Sequence, residues 1–377
     1  MVIVKRATLD DKPVIFKFIQ IAYENRWQYK IPERWQWEFV ENPFLPDQLL
    51  PVWIAVEEDG RVVGQTCALV EPLKIGDEIH RVGWSVDTFL LPKYRGQGIG
   101  FQLQKANDEG NEIFMSLSMS KANRRIKAGL GSVPIDPVPA YTRLARYTPE
   151  SICAAIADRL SRGNDTLKRI ITSLFHLLFL DRLFSGLLNI RVRSEDRRQL
   201  PQPDESIALS RIDIFDQEIN LLWEKVSPKF YAIVKRDDVY LNWKYVQQPY
   251  ADYFKYIARR NGEICGYIIF RQGKPPERNI GVIVDILALP EDESTIRSML
   301  SFAVLQLIQL KVKDIHAAST VPAYQRQLLK MGFKEAKGAY PMFHYRKDSP
   351  VYKAAEEPGS WFLGKGDHDW DQYPLAR

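Results

Sequence analysis

Cysteine is scarce in this chain. Among 377 residues there are three, Cys67, Cys153 and Cys265, and their spacing fits no metal site. A sparse and odd set argues against a disulfide framework and favours reduced thiols, so we expect a cytoplasmic location. The sequence also lacks the run of about 18 apolar residues that a membrane-spanning helix needs. Residues 1–5 show no signal-peptide pattern.

Neither sign of charge is in large excess. Lysine and arginine number 52, aspartate and glutamate 47, and the net charge is +5. This bias suits an anionic cofactor but is too weak for nucleic acid, so no nucleic-acid partner is expected. The five histidines form no cluster, which argues against a histidine-activated nucleophile. The length suggests two domains, or three small ones.

A glycine-rich turn occupies residues 90–100, with the sequence Leu-Leu-Pro-Lys-Tyr-Arg-Gly-Gln-Gly-Ile-Gly. It follows an apolar run at 84–89, typical of a buried strand, and precedes a helical pattern at 101–107. Backbone N–H groups at a helix N-terminus attract anions, and Arg95 adds a positive charge. The dinucleotide fingerprint is excluded because Phe101 stands where its third glycine would be, and the Gly-Lys-Ser/Thr of a Walker loop is missing. The stretch therefore predicts a pyrophosphate site that is neither a dinucleotide fingerprint nor a Walker loop. The alternative is a plain turn that binds no ligand.

The motif Arg-x-x-Gly-x-Gly, carried by Arg95, Gly98 and Gly100, resembles the loop of the GNAT superfamily of acyl-CoA N-acyltransferases. In that family the loop grips the pyrophosphate of coenzyme A. The resemblance implies acetyl-CoA (acyl-CoA) as co-substrate, no metal, and N-acetyl transfer to a primary amine, which we expect on a small molecule. It also implies that backbone N–H groups near Leu90 and Leu91 polarise the thioester. The cofactor-binding residues it implies are Leu90, Leu91, Arg95, Gly96, Gln97, Gly98, Ile99, Gly100 and Asn123.

The second half of the chain repeats the first. Residues 284–290, Val-Asp-Ile-Leu-Ala-Leu-Pro, match residues 86–92, Val-Asp-Thr-Phe-Leu-Leu-Pro. The hairpin pair Asn261-Gly262 likewise matches Asp59-Gly60. The chain therefore resembles a tandem GNAT protein, with an α/β (α+β) fold of two GNAT-like mixed-sheet domains. The expected units are an N-terminal domain at 1–147 closed by a strand at 138–144, a helical connector at 148–200, a C-terminal domain at 201–349 and a tail at 350–377.

The two copies differ at the glycine turn. Where the first has Arg95, Gly98 and Gly100, the second has Glu293, Ile296 and Ser298, preceded by Glu291 and Asp292. Side chains replace the glycines, and carboxylates would repel a pyrophosphate. We therefore predict that the second domain binds no coenzyme A.

Acyl transfer to an amine requires a base and an acid. Asp87, on the strand that leads into the glycine turn, is the candidate base because GNAT enzymes often use an acidic residue there. Asp285 stands at the matching place in the second copy, so a structural role is equally open. The family often places a tyrosine that acts as the general acid on the helix that corresponds to residues 122–130. This sequence has no tyrosine there. Tyr141 is the nearest substitute.

The connector carries an apolar stripe at helical spacing: Leu167, Ile170, Ile171, Leu174 and Leu178. Burial between the domains is the expected role, and a membrane surface is the alternative.

Three tryptophans of the repeated aromatic segments, Trp35, Trp37 and Trp243, are expected in the core. In the tail, residues 367–371 alternate carboxylates and an imidazole, which is compatible with a metal. A polar tail docked through Trp361 and Trp370 is the favoured interpretation.

The sequence is compatible with three functions. The leading one is N-acyltransferase. The others are a non-catalytic acyl-CoA-binding or scaffold protein and a membrane-surface acyltransferase that acts on lipid-linked substrates. The sequence identifies neither the acceptor nor the oligomeric state.

Overall fold

The structure is a computed structural model. It describes residues 2–46, 49–117, 119–274, 277, 279–345, 351, 354, 356 and 358–371, with backbone only at 197.

The described residues form strands and helices joined by loops and short 3₁₀ turns. The strands are β1 (Val2–Arg6), β2 (Val52–Glu57), β3 (Val62–Ile75), β4 (Glu78–Leu90), β5 (Ile113–Ser116), β6 (Val133–Pro134), β7 (Val138–Leu144), β8 (Ile207–Arg211), β9 (Ala232–Val234), β10 (Phe254–Arg260), β11 (Glu263–Gln272), β12 (Ile280–Ala288), β13 (Asp314–Ala318), β14 (Lys334–Ala339), β15 (Met342–Tyr345) and β16 (Trp361–Phe362). The helices are α1 (Lys12–Tyr23), α2 (Glu33–Phe39), α3 (Ile99–Glu109), α4 (Lys121–Gly129), α5 (Pro149–Ser161), α6 (Asp165–Leu177), α7 (Leu180–Gln199), α8 (Ile219–Val226), α9 (Asp238–Tyr245), α10 (Glu293–Gln309) and α11 (Pro322–Lys330).

The first sheet is ordered β1-β2-β3-β4-β5-β15-β6, and β9 joins the far end of β3. Strands β1 to β4 pair antiparallel, whereas β4 and β5 pair in parallel. This parallel pairing covers only Val82–Trp84 against Ile113–Met115, and the two strands separate beyond it. The resulting gap opens towards the glycine turn.

The second sheet repeats this arrangement in the order β8-β10-β11-β12-β13-β7-β14. Its parallel pair, β12 and β13, is joined only at Ile280–Val282 and also separates beyond that point. The predicted hairpin at Asn261-Gly262 connects β10 and β11, with φ of 53° and 88° at the two residues. Positive φ at both positions is the geometry that Asn-Gly favours in a two-residue turn. Two mixed sheets, each arranged like a GNAT domain, confirm the expected fold class.

The two halves exchange one strand each. We expected the strand at 138–144 to close the first sheet, but β7 lies in the second sheet between β13 and β14. Its place in the first sheet, beside β5, is taken by β15 from the other half. The expected domain boundaries divide the chain into consecutive segments, whereas each sheet contains a strand from the other side of such a boundary.

The repeated aromatic helices α2 and α9 meet between the halves. Trp37 stacks on Trp243 with ring centroids 4.8 Å apart, and its indole N–H donates to the Trp243 carbonyl at 3.0 Å. Both rings, like Trp35, are buried. The expectation that these tryptophans belong to the core is confirmed, and one continuous apolar core joins the two sheets.

The connector is helical, as predicted, but its apolar stripe is not buried between the domains. Helix α6 buries none of its residues, and Leu167, Ile170, Leu174 and Leu178 are exposed by 41 to 60%. The expectation of burial is therefore wrong. The reason is that the connector attaches to the body mainly through the second half of α7, so that α6 projects away from it. Its attachments include the Arg143–Asp196 ion pair and the side chain of Asn189, which bonds both backbone groups of Tyr147.

Candidate active site

A cavity of about 1070 Å³ fills the gap where β4 and β5 separate. One wall is β4 from Ser85 to Leu90, and another is the glycine turn. The start of α4 and a segment near the end of the chain, Lys365 to Trp370, complete the lining. Both halves therefore contribute to one cavity, which lies where the resemblance placed the coenzyme A site.

The glycine turn leaves the N-terminus of α3 uncapped. Gly98 is the residue that precedes the helix, at φ 78°, and no side chain in the described part of the chain caps the first turn by a hydrogen bond. A Cβ on Gly96 or Gly98 would meet no protein atom within 4 Å, so the backbone faces open space there. Arg95 lines the same space and donates from Nε to the Leu90 carbonyl at 3.1 Å. Free N–H groups, a helix dipole and a guanidinium together suit an anion.

Most of the residues that the sequence assigned to the cofactor lie together around this cavity. Those that line it are Leu90, Arg95, Gly96, Gly98, Gly100 and Asn123. The other three point elsewhere. Ile99 is buried in a small core beneath α3, the Gln97 side chain donates to the Lys93 carbonyl at 3.0 Å, and the Leu91 N–H donates to the Val63 carbonyl at 3.0 Å. The Leu91 N–H is thus engaged in the protein's own backbone bonding, rather than free for a thioester.

Among the described residues that line the cavity, two have a buried polar atom outside any hydrogen bond or ion pair. The Oδ1 of Asn123 and the Oγ of Ser116 are buried without a hydrogen bond, and both residues line the cavity. A buried polar atom without a partner costs free energy unless a ligand or water satisfies it. Together with the open glycine turn, these atoms fit an elongated ligand with an anionic end and polar groups along its length.

Asp87 stands at a distortion in β4. The register of β3 and β4 shifts there, and Asp87 adopts φ 48°, the left-handed region that residues other than glycine rarely occupy. Its carboxylate forms an ion pair with Lys30, and both side chains are less than 10% exposed. The Lys30 ammonium also lies 4.5 Å from the ring centroid of Tyr23. The bulge turns Asp87 towards the cavity, which it lines, so the structure is compatible with both roles left open by the sequence.

Tyr141 is not brought to this cavity. It lies on β7, opposite Ala317 and Glu335 of the second sheet, and is not among the lining residues. Burial, aided by Glu335, raises the pKa of its hydroxyl. Its displacement follows directly from the strand exchange.

The segment near the end of the chain supplies site residues that sequence reasoning missed. Lys365, His368, Asp369 and Trp370 all line the cavity. His368 contacts Asp369 through Nδ1 at 2.5 Å and the Ser85 carbonyl through Nε2 at 3.2 Å. Burial lowers the pKa of this imidazole, but Asp369 and the Ser85 carbonyl outweigh burial, so the pKa is raised. Asp369 is itself held ionised, because His368, Arg34 and Lys30 outweigh its burial and lower its pKa.

Buried charges hold this segment in place. Asp367 accepts a hydrogen bond from Arg236 at 2.9 Å, and Arg236 also pairs with Asp285. Farther along, Asp371 pairs with Arg271 at 3.0 Å. The sequence analysis favoured a tail that docks on the body through Trp361 and Trp370. The segment is docked, and ion pairs hold it in addition to these aromatic rings. Among the residues that the structure describes, no three histidine, cysteine, aspartate or glutamate side chains are grouped to hold a metal ion.

Lys365 is the most perturbed lysine that faces the cavity. Burial lowers the pKa of its ammonium to about 8, against the opposing effect of Asp371. The ammonium lies 4.4 Å from the ring centroid of Trp370. His316 of β13 also lines the cavity, and burial lowers the pKa of its imidazole. A lysine that titrates near neutral pH can exchange a proton with an amine substrate.

The equivalent gap in the second half is closed. Strand β16 pairs with β9, and the residues after it contact the chain just beyond β13, where Thr320 exchanges hydrogen bonds with Leu363. A cavity of about 20 Å³ lies between this segment and β12. The N-terminus of α10 is also occupied, because the Asp292 side chain accepts from the Thr295 N–H and pairs with Arg260. Protein groups thus fill the places that an acyl-CoA would need.

Residues 15–116 match the model of the Acetyltransferase (GNAT) family. No curated protein sequence matches the chain. Solved structures match over nearly its whole length. A GCN5-related N-acetyltransferase from Anabaena variabilis has a TM-score of 0.59 at 11% identity and covers 94% of this chain and 74% of its own. A structure of Saccharomyces cerevisiae N-myristoyltransferase with bound myristoyl-CoA has a TM-score of 0.55 at 10% identity, covering 93% and 80%. A GCN5-related N-acetyltransferase from Kribbella flavida has a TM-score of 0.55 at 13% identity, and the match covers 94% of this chain and 73% of that one.

The first half of the chain is therefore similar, over residues 15–116, to the acetyltransferase (GNAT) family. The two sheets repeat the fold. At these identities the structural likeness establishes the fold alone.

We expect Gly98→Val to abolish coenzyme A binding. A valine would place a side chain in the open space before α3 and would disfavour the left-handed backbone by about 1–2 kcal/mol. The matched control is Gly262→Val, which has a similar positive φ and an equally open Cβ position but lies in the β10–β11 hairpin of the second half. Calorimetric titration should show lost affinity in the first variant only. Unchanged affinity in Gly98→Val would refute the assignment.

We expect one coenzyme A per chain. The second half has a closed gap and a capped helix, so titration of the whole protein should saturate at a single equivalent. Gly98→Val should then remove all binding rather than half of it. Two equivalent sites in the wild-type protein would show that the second half is functional as well.

Lys365 should make stability depend on pH. Its folded-state pKa of about 8 lies below the 10.5 of an exposed lysine. Because the unfolded chain then binds more protons between these values, stability gains from Lys365 as the pH rises from about 8 to about 10.5. Lys365→Met should therefore be more stable than wild type near pH 7, by up to about 3 kcal/mol, with a smaller difference near pH 10. Urea unfolding at both pH values measures this, with the exposed Lys337→Met as control; a difference independent of pH would contradict it.

Proposed function

We propose that the protein is an N-acyltransferase that moves an acetyl or other acyl group from acyl-CoA to a primary amine. The observation that carries the proposal is the cavity, which runs from an anion-binding helix end to a cluster of ionisable side chains. Arg95, Gly96, Gly98 and Gly100 would hold the pyrophosphate, and Asn123 would contact the rest of the cofactor. The acceptor that we expect is a small-molecule amine.

The reaction is a direct attack of the amine on the thioester. The acceptor's ammonium loses a proton, its nitrogen forms a bond to the carbonyl carbon, and the carbon–sulfur bond breaks. The thiolate then takes up a proton and leaves as free coenzyme A. The chain must therefore supply a proton acceptor, positive charge near the developing oxyanion, and a proton donor.

The ionisable groups of the cavity match these needs. Asp87 is the candidate base, and the deprotonated form of Lys365 is a second one. His368 is held towards its charged form between Asp369 and the Ser85 carbonyl, so it contributes positive charge. These groups also replace Tyr141 as candidates for the proton donor, since Tyr141 lies in the other sheet.

A non-catalytic acyl-CoA-binding protein is the second candidate. One observation favours it, namely that the carboxylate of Asp87 is already committed to the buried ion pair with Lys30. A carboxylate whose oxygen is bonded to a neighbouring ammonium is not presented to an acceptor amine.

An amine panel distinguishes the two candidates. Purified protein with acetyl-CoA and each amine should release free thiol, which a thiol reagent detects. Thiol release that depends on the amine and is absent in Gly98→Val supports the transferase. Binding of coenzyme A without turnover on any amine would support the binding protein. Absence of binding would refute the site itself.

We expect loss of Asp87 to lower kcat by roughly 10²–10⁴-fold if it is the base. The single change Asp87→Asn would remove one carboxylate partner of the buried Lys30 ammonium, which we expect to cost stability, by up to about 3–5 kcal/mol. The informative variant is therefore Asp87→Asn combined with Lys30→Met, tested for both kcat and urea stability. The matched control removes an ion pair of the second half, Arg260→Gln with Asp292→Asn, which should leave kcat unchanged. Normal turnover in the Asp87 double variant would assign Asp87 a structural role.

A further inference from the structure

The connector presents an unusual concentration of exposed apolar side chains. Nearly half of the strongly exposed large apolar side chains among the described residues lie between Leu160 and Ile190. Two of them, Leu177 and Phe179, are exposed by 73% and 61% at the corner between α6 and α7. Scattered single exposures are normal for a protein surface, but a contiguous group of this size indicates an interaction site.

These side chains form one stripe on each helix. On α6 the exposed positions Ile170, Leu174 and Leu177 follow helical spacing, and on α7 Leu183, Leu187 and Ile190 do the same. We refer to the two together as the connector stripes. Since the second half of α7 is attached to the body, the stripes project from a firmly held base.

The length and bend of these helices exclude a straight transmembrane rod. No single described helix is long and apolar enough to cross a bilayer; α6 and Leu180–Asp196 of α7 together meet the length and composition requirement, but they are bent by 75°. Helix α6 has 13 residues. At 1.5 Å per residue it spans about 20 Å, less than the roughly 30 Å of a hydrocarbon core. Short amphipathic helices of this kind lie in the plane of a membrane surface.

The charges around the stripes identify the partner. Arg162, Arg169 and Arg182 are exposed, and none forms an ion pair with a described carboxylate. The carboxylates nearby are mostly engaged within the chain, because Asp158 pairs with Lys168, and Asp181 is buried against His176. The free charge beside the stripes is therefore predominantly positive.

A second copy of the chain does not complement this surface. A symmetric dimer built on the stripes would bring the same arginines together, with few free carboxylates to neutralise them. An anionic lipid surface instead supplies apolar depth for the stripes and negative charge for the arginines. We propose that the connector stripes dock the protein on the surface of an anionic membrane.

Flotation of the full chain with lipid vesicles tests this. The protein should float with vesicles of phosphatidylcholine mixed with phosphatidylserine, less with phosphatidylcholine alone, and be released by high salt. Arg162→Ala and Arg169→Ala should each weaken binding to the anionic vesicles about fivefold and have little effect on neutral ones.

The apolar component needs its own variant and control. Leu177→Asp combined with Leu183→Asp should abolish flotation, whereas Leu221→Asp, at a position of α8 that is 62% exposed, should not. All variants should keep the wild-type melting temperature and coenzyme A affinity, because the substituted side chains are exposed and far from the cavity in the fold. Failure of the wild-type protein to float would overturn the proposal. So would a dimer in light scattering that Leu177→Asp dissociates, since the stripes would then be a self-association interface.

Discussion

The site depends on the buried interaction of Arg236 with two carboxylates. The guanidinium of Arg236 lies between Asp285 of β12 and Asp367 of the terminal segment, and all three side chains are almost fully buried. Such charges are stable in an apolar interior only together, because removal of one leaves the others uncompensated. The interaction fixes the path of the terminal segment, and that path brings Lys365 and His368 to a cavity belonging to the other half. A structural ion cluster in one domain thus completes the site in the other.

The two halves share one sheet arrangement but differ in the role of its gap. Both sheets separate at the same point beside a parallel strand pair, but only the first half leaves the gap open. In the second half the gap holds protein, and the helix end is capped by Asp292, whose charge is paired with Arg260. The acidic residues of that turn therefore act as structural groups of a closed site, in addition to the repulsion expected from their sign. What the second half contributes is rigidity and side chains delivered across the interface.

Local pattern was sufficient for some of these features and insufficient for others. The glycine turn, the hairpins and the repeat were predictable because each depends on neighbouring residues, such as Gly98 before a helix or Asn261-Gly262 between strands. The exchange of β7 and β15 was not, because both are short strands that could close either sheet, and the choice depends on the shape of the whole core. The terminal segment was missed for a related reason: a polar stretch is usually solvated, and its burial here relies on Arg236 and Arg271, which are distant in the chain.

The strand exchange also has a consequence for how the protein folds. Pairing of Ile113 with Tyr345 joins residues separated by well over half of the chain, and β7 pairs in turn with β13 of the later half. Contacts between residues so far apart in the sequence are slow to form, because a long loop must be closed before they stabilise the fold. During synthesis the second sheet therefore cannot be completed before β14 is made, nor the first before β15 is made, and until then the edge of β5 stays unpaired. An unpaired edge of this kind is prone to aggregation, so we infer that the halves mature as a single cooperative unit rather than one after the other.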